Sequence, residues 1–255
     1  QNRFPERVFD VGISEQHAVT FAAGLAKSGR IPFCTIYSTF LQRAYDQLIH
    51  DVAIQNLPVI FGIDRGGLVG EDGATHHGVF DLAYLRAIPN LTIASPVNST
   101  QLRNLMFTAQ QKKHGPFAIR YPRGNSETKD WNQPFCELPI GKAEKLYSGN
   151  DIAVLTIGQP GNDVIELYAK LSEEGISISH YNMIFLKPID EDALHDACKN
   201  HKAIVTIEDG TVKGGLGSAV AEFMMEHSYF LPLTKLGVPD RFIEHGTLPE
   251  LRKEC

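Results

Sequence analysis

Short apolar runs alternate along the chain with stretches in which apolar residues recur every three or four positions. The run 32–37 is apolar except for Thr35 and is typical of a buried strand. After it, Leu41, Ala44, Leu48 and Val52 recur at the spacing of one helix face. Because this alternation repeats to the end of the chain, it predicts parallel sheets covered by helices, the α/β class.

The same reasoning gives a full set of predicted elements. Strands are predicted at 8–11, 32–37, 59–63, 91–94, 117–121, 152–157, 176–182, 203–207 and 233–238. Helices are predicted at 14–29, 41–52, 80–87, 99–109, 164–171, 190–198 and 218–225, with Ser14, Ser99 and Asp190 as N-caps.

The rhythm breaks between residues 122 and 150, where Gly, Pro, Asn, Ser and Asp cluster. We therefore predict a first domain at 1–128, a linker at 129–149 and a second domain at 150–255. Each domain is expected to be a doubly wound, mainly parallel α/β sheet.

Composition excludes several other classes of protein. The 255 residues are 43% hydrophobic and 21% charged, close to a globular average. The net charge of −6, with no run of Lys or Arg, gives no electrostatic reason to expect nucleic acid or an anionic membrane as partner. The 4 cysteines form no CxxC pair, which argues against a zinc site and a disulfide framework.

Two candidate sites lie at predicted strand–helix junctions, where ligands bind in such sheets. The segment 10–17 places Glu15 at the start of a helix, where a carboxylate could equally serve to complement the helix dipole. The segment 37–47 carries Phe40 and Arg43, which could also be a core aromatic and a solvated charge.

A third candidate is the loop 64–78, which contains five glycines, three acids, two histidines and one arginine. A loop of this length and composition is usually functional or flexible. Asp72 and His76 could form part of a metal site, but no third ligand is suitably spaced, so we expect no metal ligand in this chain.

Two further segments suggest anion binding. Arg120 and Arg123 flank a Tyr-Pro pair at a strand end, which suits a phosphate or, alternatively, salt bridges between the domains. The segment 213–218, K-G-G-L-G-S, superficially resembles a phosphate loop, but close packing of a helix start explains it better.

Taken together, the segments resemble the 1-deoxy-D-xylulose-5-phosphate synthase family, thiamine-diphosphate enzymes of the transketolase superfamily. The resemblance rests on D-V-G-I-S-E-Q-H-A, Y-S-T-F-L-Q-R-A-Y-D-Q, D-R-G-G-L-V-G-E-D-G-A-T-H-H-G and R-Y-P-R-G-N. The later L-K-P-I-D, E-D-G-T-V-K-G-G-L-G-S and G-V-P-D-R-F-I-E-H-G resemble the carboxy-terminal domain of that family. The two domains would then be a pyrimidine-binding domain, incomplete at its amino terminus, and a carboxy-terminal domain.

This resemblance also implies the cofactor. The family binds thiamine diphosphate, with Mg²⁺ and the diphosphate held mainly by an amino-terminal domain that carries a G-D-G…N motif. That motif does not occur in this sequence. We therefore expect the chain to be part of a longer protein and to be inactive by itself.

The reaction implied is the condensation of pyruvate with glyceraldehyde 3-phosphate, with loss of carbon dioxide, in isoprenoid, thiamine and pyridoxal precursor synthesis. The resemblance implies catalytic roles for Glu15 and His76 and cofactor contacts from Glu15 and Phe40. It implies substrate contacts from Tyr37, Arg43, Arg65, Asp72, His76 and Arg123. A homodimer in the bacterial cytoplasm or a plastid is expected.

Two other functions remain open. The chain could come from a transketolase or from the beta subunit of a two-oxoacid dehydrogenase, although Q-R-A-Y-D-Q and Y-P-R-G favour the synthase. It could also be a non-catalytic dimerisation module, which predicts that Glu15, Arg43 and Arg123 do not converge.

Overall fold

The computed structural model describes residues 3–111, 114–125 and 133–255, and its strands form two five-stranded sheets. The first sheet has the order β1-β2-β4-β3-β8, made of β1 (Phe33–Tyr37), β2 (Ile60–Asp64), β3 (Thr92–Ala94), β4 (Phe117–Arg120) and β8 (Phe185–Lys187). The second has the order β10-β9-β6-β7-β5, made of β5 (Glu144–Tyr147), β6 (Ile152–Thr156), β7 (Ile178–Asn182), β9 (Ala203–Thr211) and β10 (Leu233–Val238). All neighbours pair in parallel except β3–β8 and β5–β7, so the predicted pair of mainly parallel α/β sheets is confirmed.

Helices connect the strands. They are α1 (Glu15–Lys27), α2 (Ser38–Leu41), α3 (Tyr45–Gln47), α4 (Asp81–Arg86), α5 (Ser99–Ala109), α6 (Pro160–Glu173), α7 (Glu191–Asn200), α8 (Leu216–Glu226) and α9 (Leu248–Glu254). Shorter 3₁₀ turns lie at Pro5–Arg7, Gln42–Ala44 and Gly70–Asp72, and a π-helical turn at Leu48–Ala53. Within the described ranges, no helix combines the length and apolar character that crossing a bilayer demands.

The segment predicted as one helix at 41–52 is helical but irregular. Leu41, Ala44, Leu48 and Val52 are all buried, as their spacing predicts. However, the backbone passes from α2 through a 3₁₀ turn and α3 into the π-helical turn. Periodicity thus identified the buried face but could not identify the changes in hydrogen-bond spacing.

Three local predictions are corrected. The run 8–11 forms no strand, because no neighbouring strand covers it and Phe9 remains 59% exposed. Asn98 rather than Ser99 caps α5, since its Oδ1 accepts from the Gln101 N–H at 2.9 Å. Ser14 occupies the N-cap position of α1, but its hydroxyl donates to the Val11 carbonyl at 2.6 Å.

The two halves of the chain are interlocked. Strand β8 follows β7 in the second half, yet it pairs with β3 and completes the first sheet. Strand β5 lies within the predicted linker 129–149 and pairs with β7 in the second sheet, so this part of the linker is structured. Residues 126–132 of the boundary region lie outside the described residues, and the division into 1–128 and 150–255 stays a prediction.

The largest hydrophobic cluster extends across both halves. It contains Leu85 and Ile93 from the first half, and Leu186 and Leu216 from the second. Their burial joins the two sheets through a shared core, because apolar surface at the junction is removed from water only when both halves are folded.

A buried ion cluster lies at the same junction. Arg120, 1% exposed, donates from Nε to both carboxylate oxygens of Asp81 at 2.9 and 3.0 Å and from Nη1 to Asp209 of β9. Burial opposes the charge on the guanidinium, but Asp209 and Asp81 outweigh it and raise the pKa of Arg120. For Arg120, the structure therefore supports the domain salt bridge rather than the phosphate site.

Replacement of Asp81 by Ala should strongly destabilise the protein. It leaves the Arg120 charge buried with one fewer partner, which costs about 3–5 kcal/mol in such cases. The measurement is the free energy of unfolding from urea titration.

Glu222→Ala is the matched control. Glu222 also joins the halves, through bonds of 2.6 and 2.7 Å to Arg86, but its side chain is 56% exposed. Its loss should cost less than about 1 kcal/mol. Equal losses in the two variants would contradict the importance given to the buried cluster.

Candidate active site

Three neighbouring strands of the first sheet end at the same edge and bring predicted site residues together. Strands β1, β2 and β4 are adjacent and parallel, so their carboxyl ends lie side by side. Tyr37 is the last residue of β1, Arg65 follows β2 directly, and Arg123 lies three residues beyond β4. This edge is where ligands bind in open α/β sheets.

Phe40 is the centre of an aromatic cluster at this edge. The Tyr37 ring stacks on it with centroids 5.7 Å apart, and the His76 ring meets it edge-on at 5.4 Å. The Arg43 guanidinium carbon lies 5.2 Å from the Phe40 centroid, and that of Arg65 lies 4.0 Å from the Tyr37 centroid. Aromatic faces flanked by guanidinium groups suit a flat ring or an anion as ligand.

Glu15 joins this cluster through Arg43. It is the first residue of α1, and its side chain is only 12% exposed. Its Oε1 lies 3.7 Å from Nη1 of Arg43, whose side chain is 57% exposed. The carboxylate is therefore partly withdrawn from water, whereas its cationic partner remains accessible.

Residues 65–78, called the site loop below, are closed at their base by backbone hydrogen bonds. The N–H of each of Gly67 and Gly78 donates to the carbonyl of the other at 2.8 Å, and the Gly66 N–H donates to the Tyr121 carbonyl at 2.9 Å. Arg65 adopts the left-handed region at φ 59°, which is uncommon for a residue with a side chain. The base of the loop is thus fixed, and Gly67 and Gly78 permit its two backbone segments to approach each other closely.

The outer part of the site loop carries Asp72 and His76. Asp72 Oδ2 accepts from Nη1 of Arg123 at 2.6 Å, and the same nitrogen donates to the Val69 carbonyl at 3.3 Å. His76 Nδ1 lies 2.9 Å from the Thr75 hydroxyl. Glu15 and Arg43 thus meet directly, whereas Arg123 joins them through the loop that carries both Asp72 and His76.

The segment 213–218 does not offer its helix start to a phosphate. The Glu208 carboxylate accepts from the Leu216 and Gly217 N–H groups, both at 2.9 Å. Burial raises the pKa of Glu208, while these two hydrogen bonds lower it. The packing interpretation of this segment is therefore favoured, since a protein side chain already occupies the N–H groups.

Sequence reasoning missed the residues that support the site. Asp81 also accepts from the Ser38 hydroxyl at 2.8 Å, beside the end of β1, and the Gly78 carbonyl accepts from Nη2 of Arg120 at 3.3 Å. The only sign of these contacts in the sequence was Arg120, an arginine within a predicted buried strand, together with acidic residues elsewhere. Nothing in the pattern paired residues 39 and 89 positions apart. Among the described residues, no group of three or more His, Cys, Asp or Glu side chains could hold a metal ion.

Two models of known families match this chain. The family model for the transketolase pyrimidine-binding domain matches residues 1–129, and that for the transketolase C-terminal domain matches residues 141–255.

Individual relatives are more specific. The chain is 60% identical to a 1-deoxy-D-xylulose-5-phosphate synthase of Parabacteroides distasonis over 99% of this chain, and 50% identical to one of a Geobacillus species, also over 99%. It spans only 40% of the length of each. A solved structure titled as a split gene transketolase, inactive beta4 tetramer, superposes with a TM-score of 0.84 at 34% identity, covering 94% of this chain and 78% of that one. The resemblance inferred from the sequence motifs is thereby confirmed.

Gly78→Ala should disrupt the base of the site loop. A Cβ at Gly78 would lie 2.2 Å from the Arg65 carbonyl oxygen and 2.5 Å from the Ser38 side chain, so backbone must shift. We expect a loss of about 1–3 kcal/mol, as for other overpacked sites. The measurement is the melting temperature by circular dichroism.

Gly24→Ala in α1 provides the contrast. A Cβ there has nothing within 4 Å, and the helix interior favours Ala over Gly by about 0.5–1 kcal/mol. This variant should melt at a higher temperature than the unmodified protein. A Gly78→Ala protein that melts normally would show that the loop base is not tightly closed.

Proposed function

Because this chain belongs to the transketolase family, we propose that it forms part of a 1-deoxy-D-xylulose-5-phosphate synthase. Such an enzyme condenses pyruvate with glyceraldehyde 3-phosphate and releases carbon dioxide. The observation that carries the proposal is identity of 50–60% over nearly the whole chain to relatives bearing that name. The enzyme is a transferase, and its product leads to isoprenoid, thiamine and pyridoxal precursors.

The alternatives receive less support. The split gene transketolase is 34% identical, well below the synthases. A non-catalytic module predicts that Glu15, Arg43 and Arg123 do not converge. Glu15 contacts Arg43, which lies over Phe40, and Phe40 meets His76. Arg123 contacts Asp72 on the loop that also carries His76, which supports convergence on one edge of the sheet. The synthase assignment explains both the identity and this convergence.

The donor chemistry of the cluster fits thiamine diphosphate. A partly buried carboxylate, Glu15, can share a proton with a ring nitrogen of an aminopyrimidine, and the Phe40 face can stack on such a ring. When bound, the cofactor supplies the nucleophilic carbon and takes up the electrons released by decarboxylation. Glu15 holds and returns the proton that this chemistry requires. Its partial burial matters because it limits exchange of that proton with bulk water.

The remaining residues handle the substrates. His76 can donate to a carbonyl oxygen on which negative charge develops, and the Asp72 carboxylate can accept from a substrate hydroxyl. Tyr37 and Arg65 lie at the same edge of the sheet, with the guanidinium over the ring, and contribute further substrate contacts. Arg43 and Arg123 pair with Glu15 and Asp72, respectively, but both side chains are substantially exposed, so their solvent-facing N–H groups can meet the phosphate of the aldehyde.

Several wider features belong to the same proposal. We assign Mg²⁺ and the diphosphate mainly to residues beyond this chain, and we expect a homodimer in the bacterial cytoplasm. The similar solved protein is described as an inactive beta4 tetramer. That description supports the expectation that this chain, which spans 40% of the synthase relatives, is inactive by itself.

Glu15→Gln should nearly abolish turnover in the active enzyme that contains this segment. The amide keeps the shape of the carboxylate but cannot exchange its proton, and acid–base roles of this kind contribute about 10²- to 10⁴-fold. The measurements are the turnover number and the rate of hydrogen–deuterium exchange at the thiazolium carbon.

Glu173→Gln, at the exposed end of α6, is the control and should leave both rates unchanged. If exchange proceeds at the normal rate in Glu15→Gln, then Glu15 serves only to complement the α1 dipole.

Arg123→Ala should weaken use of glyceraldehyde 3-phosphate far more than use of unphosphorylated glyceraldehyde. A lost charge-assisted hydrogen bond costs about 1.5–3 kcal/mol, roughly ten- to a hundredfold in kcat/KM. Arg123→Lys should retain only part of the activity with glyceraldehyde 3-phosphate, because Lys lacks the planar guanidinium that matches phosphate oxygens. Steady-state kinetics with the two acceptors measures the contrast.

Arg43→Ala should show the same contrast, together with an effect on cofactor affinity, because Arg43 also contacts Glu15 and Phe40. Misfolding would lower kcat/KM for both acceptor substrates alike. Equal losses for the two aldehydes in Arg123→Ala would mean that this arginine is structural.

A further inference from the structure

His77 contacts the two halves of the protein through its two ring nitrogens. It follows the predicted catalytic His76, is 4% exposed and has no role in the proposed chemistry. The Val69 N–H donates to Nδ1 at 3.1 Å. Because a backbone N–H can only donate, Nδ1 accepts and the ring proton lies on Nε2. Nε2 therefore donates to the Glu244 carbonyl, 3.2 Å away.

The hydrogen bonds continue from Val69 to Arg123, the residue proposed to bind the phosphate. The Val69 carbonyl accepts from Nη1 of Arg123 at 3.3 Å, and the same nitrogen donates to Asp72 at 2.6 Å. Val69 is itself buried, 3% exposed. The N–H of Val69 is thus bonded to His77 and its carbonyl to Arg123. A shift of His77 would therefore move the carbonyl that accepts from Arg123.

Glu244, the last residue in this series of contacts, lies between two well-packed features. Val238, Ile243 and Leu251 form a buried cluster with Val79, against which Leu68 packs. Beyond it, Thr247 and Glu250 form a capping box that fixes the start of α9. The carbonyl that accepts from His77 Nε2 therefore lies between a buried apolar cluster and the capped start of α9.

The second half also touches the outer part of the site loop. A Cβ placed on Gly73 would lie 3.2 Å from Cβ of His245, and one on Gly70 would lie 3.5 Å from the Gly246 carbonyl oxygen. The segment 244–246 thus packs against the site loop at Gly70 and Gly73. Loop position and the conformation of this segment are coupled by direct contact.

We propose that His77 is a positioning residue that ties the site loop to residues 244–246 and thereby holds Arg123 in place for the phosphate of the acceptor substrate. This inference rests on the proposed function of Arg123. It gives the second half a specific part in acceptor recognition, through a backbone carbonyl and a neutral histidine.

The test uses the active enzyme and three variants of His77. His77→Phe keeps a flat ring but neither hydrogen bond. His77→Asn places an acceptor at the position of Nδ1 and loses the link to Glu244. His77→Gln places a donor at the position of Nε2 and loses the bond from Val69. Folding of each is checked by its melting temperature.

We expect His77→Phe to raise KM for glyceraldehyde 3-phosphate roughly three- to tenfold, the effect of a neutral hydrogen bond, with KM for pyruvate unchanged. His77→Asn and His77→Gln each keep one end of the tie and lose the other, so each should recover only a small part of the loss. Recovery of most of the loss by His77→Asn would show that the link to Glu244 is not needed and would overturn the tie. Inhibition by inorganic phosphate should weaken in all three variants, which reports on the phosphate site directly.

The double variant separates this inference from the function on which it rests. In an Arg123→Ala background, His77→Phe should cause no further change, because the group it positions is gone. If Arg123→Ala alone leaves the acceptor KM unchanged, the proposed phosphate role of Arg123 is wrong. If Arg123→Ala acts but His77→Phe does not, or if their effects add, the positioning role of His77 is overturned.

Discussion

The buried guanidinium of Arg120 is the constraint on which the rest of this structure depends. A cation removed from water is tolerated only where carboxylates and carbonyls meet its charge and its N–H groups. Asp81 comes from the start of α4, Asp209 from β9 and the Gly78 carbonyl from the base of the site loop. These partners are distant in sequence, so β4, the loop and the second sheet must all be in place before the charge is satisfied. The same contacts therefore define the fold and position the site.

From this fixed base the site becomes more accessible towards its outer part. Gly67 and Gly78 are buried and bonded to each other, whereas Asp72 and Arg123 are partly exposed at the far end. Such a gradient suits recognition of a charged substrate, because preorganised backbone reduces the ordering that binding requires, while exposed groups can reach the ligand. Glu15 differs from these groups, since a group that exchanges a proton benefits from partial burial.

Sequence reasoning recovered what depends on local pattern. Apolar runs located most strands to within one or two residues, and the motif order identified the family. It missed β5, because its residues are exposed or half-buried and form no apolar run. It missed β8, because this strand joins a sheet formed mainly by the other half of the chain. The run 8–11 failed for the opposite reason, as apolar residues alone do not supply a neighbouring strand. Arg120 and Glu208 show the same limit at the site, because their partners are set by tertiary structure rather than by spacing.

Arg120 and Arg123 show how position alone gives one residue type two different uses. Both lie at the end of the same strand, and residue type cannot tell them apart. Arg120 lies within β4, so its side chain enters the junction between the sheets and is enclosed by two acids. Arg123 lies beyond the end of β4, in a bend with Gly124, where its side chain is 46% exposed and Asp72 is its ion partner. A guanidinium enclosed by carboxylates has little attraction left for an anion, whereas one that is half in water exchanges hydration for a ligand at small cost. Burial, and not the identity of the residue, therefore separates the arginine that holds the protein together from the one suited to hold a substrate.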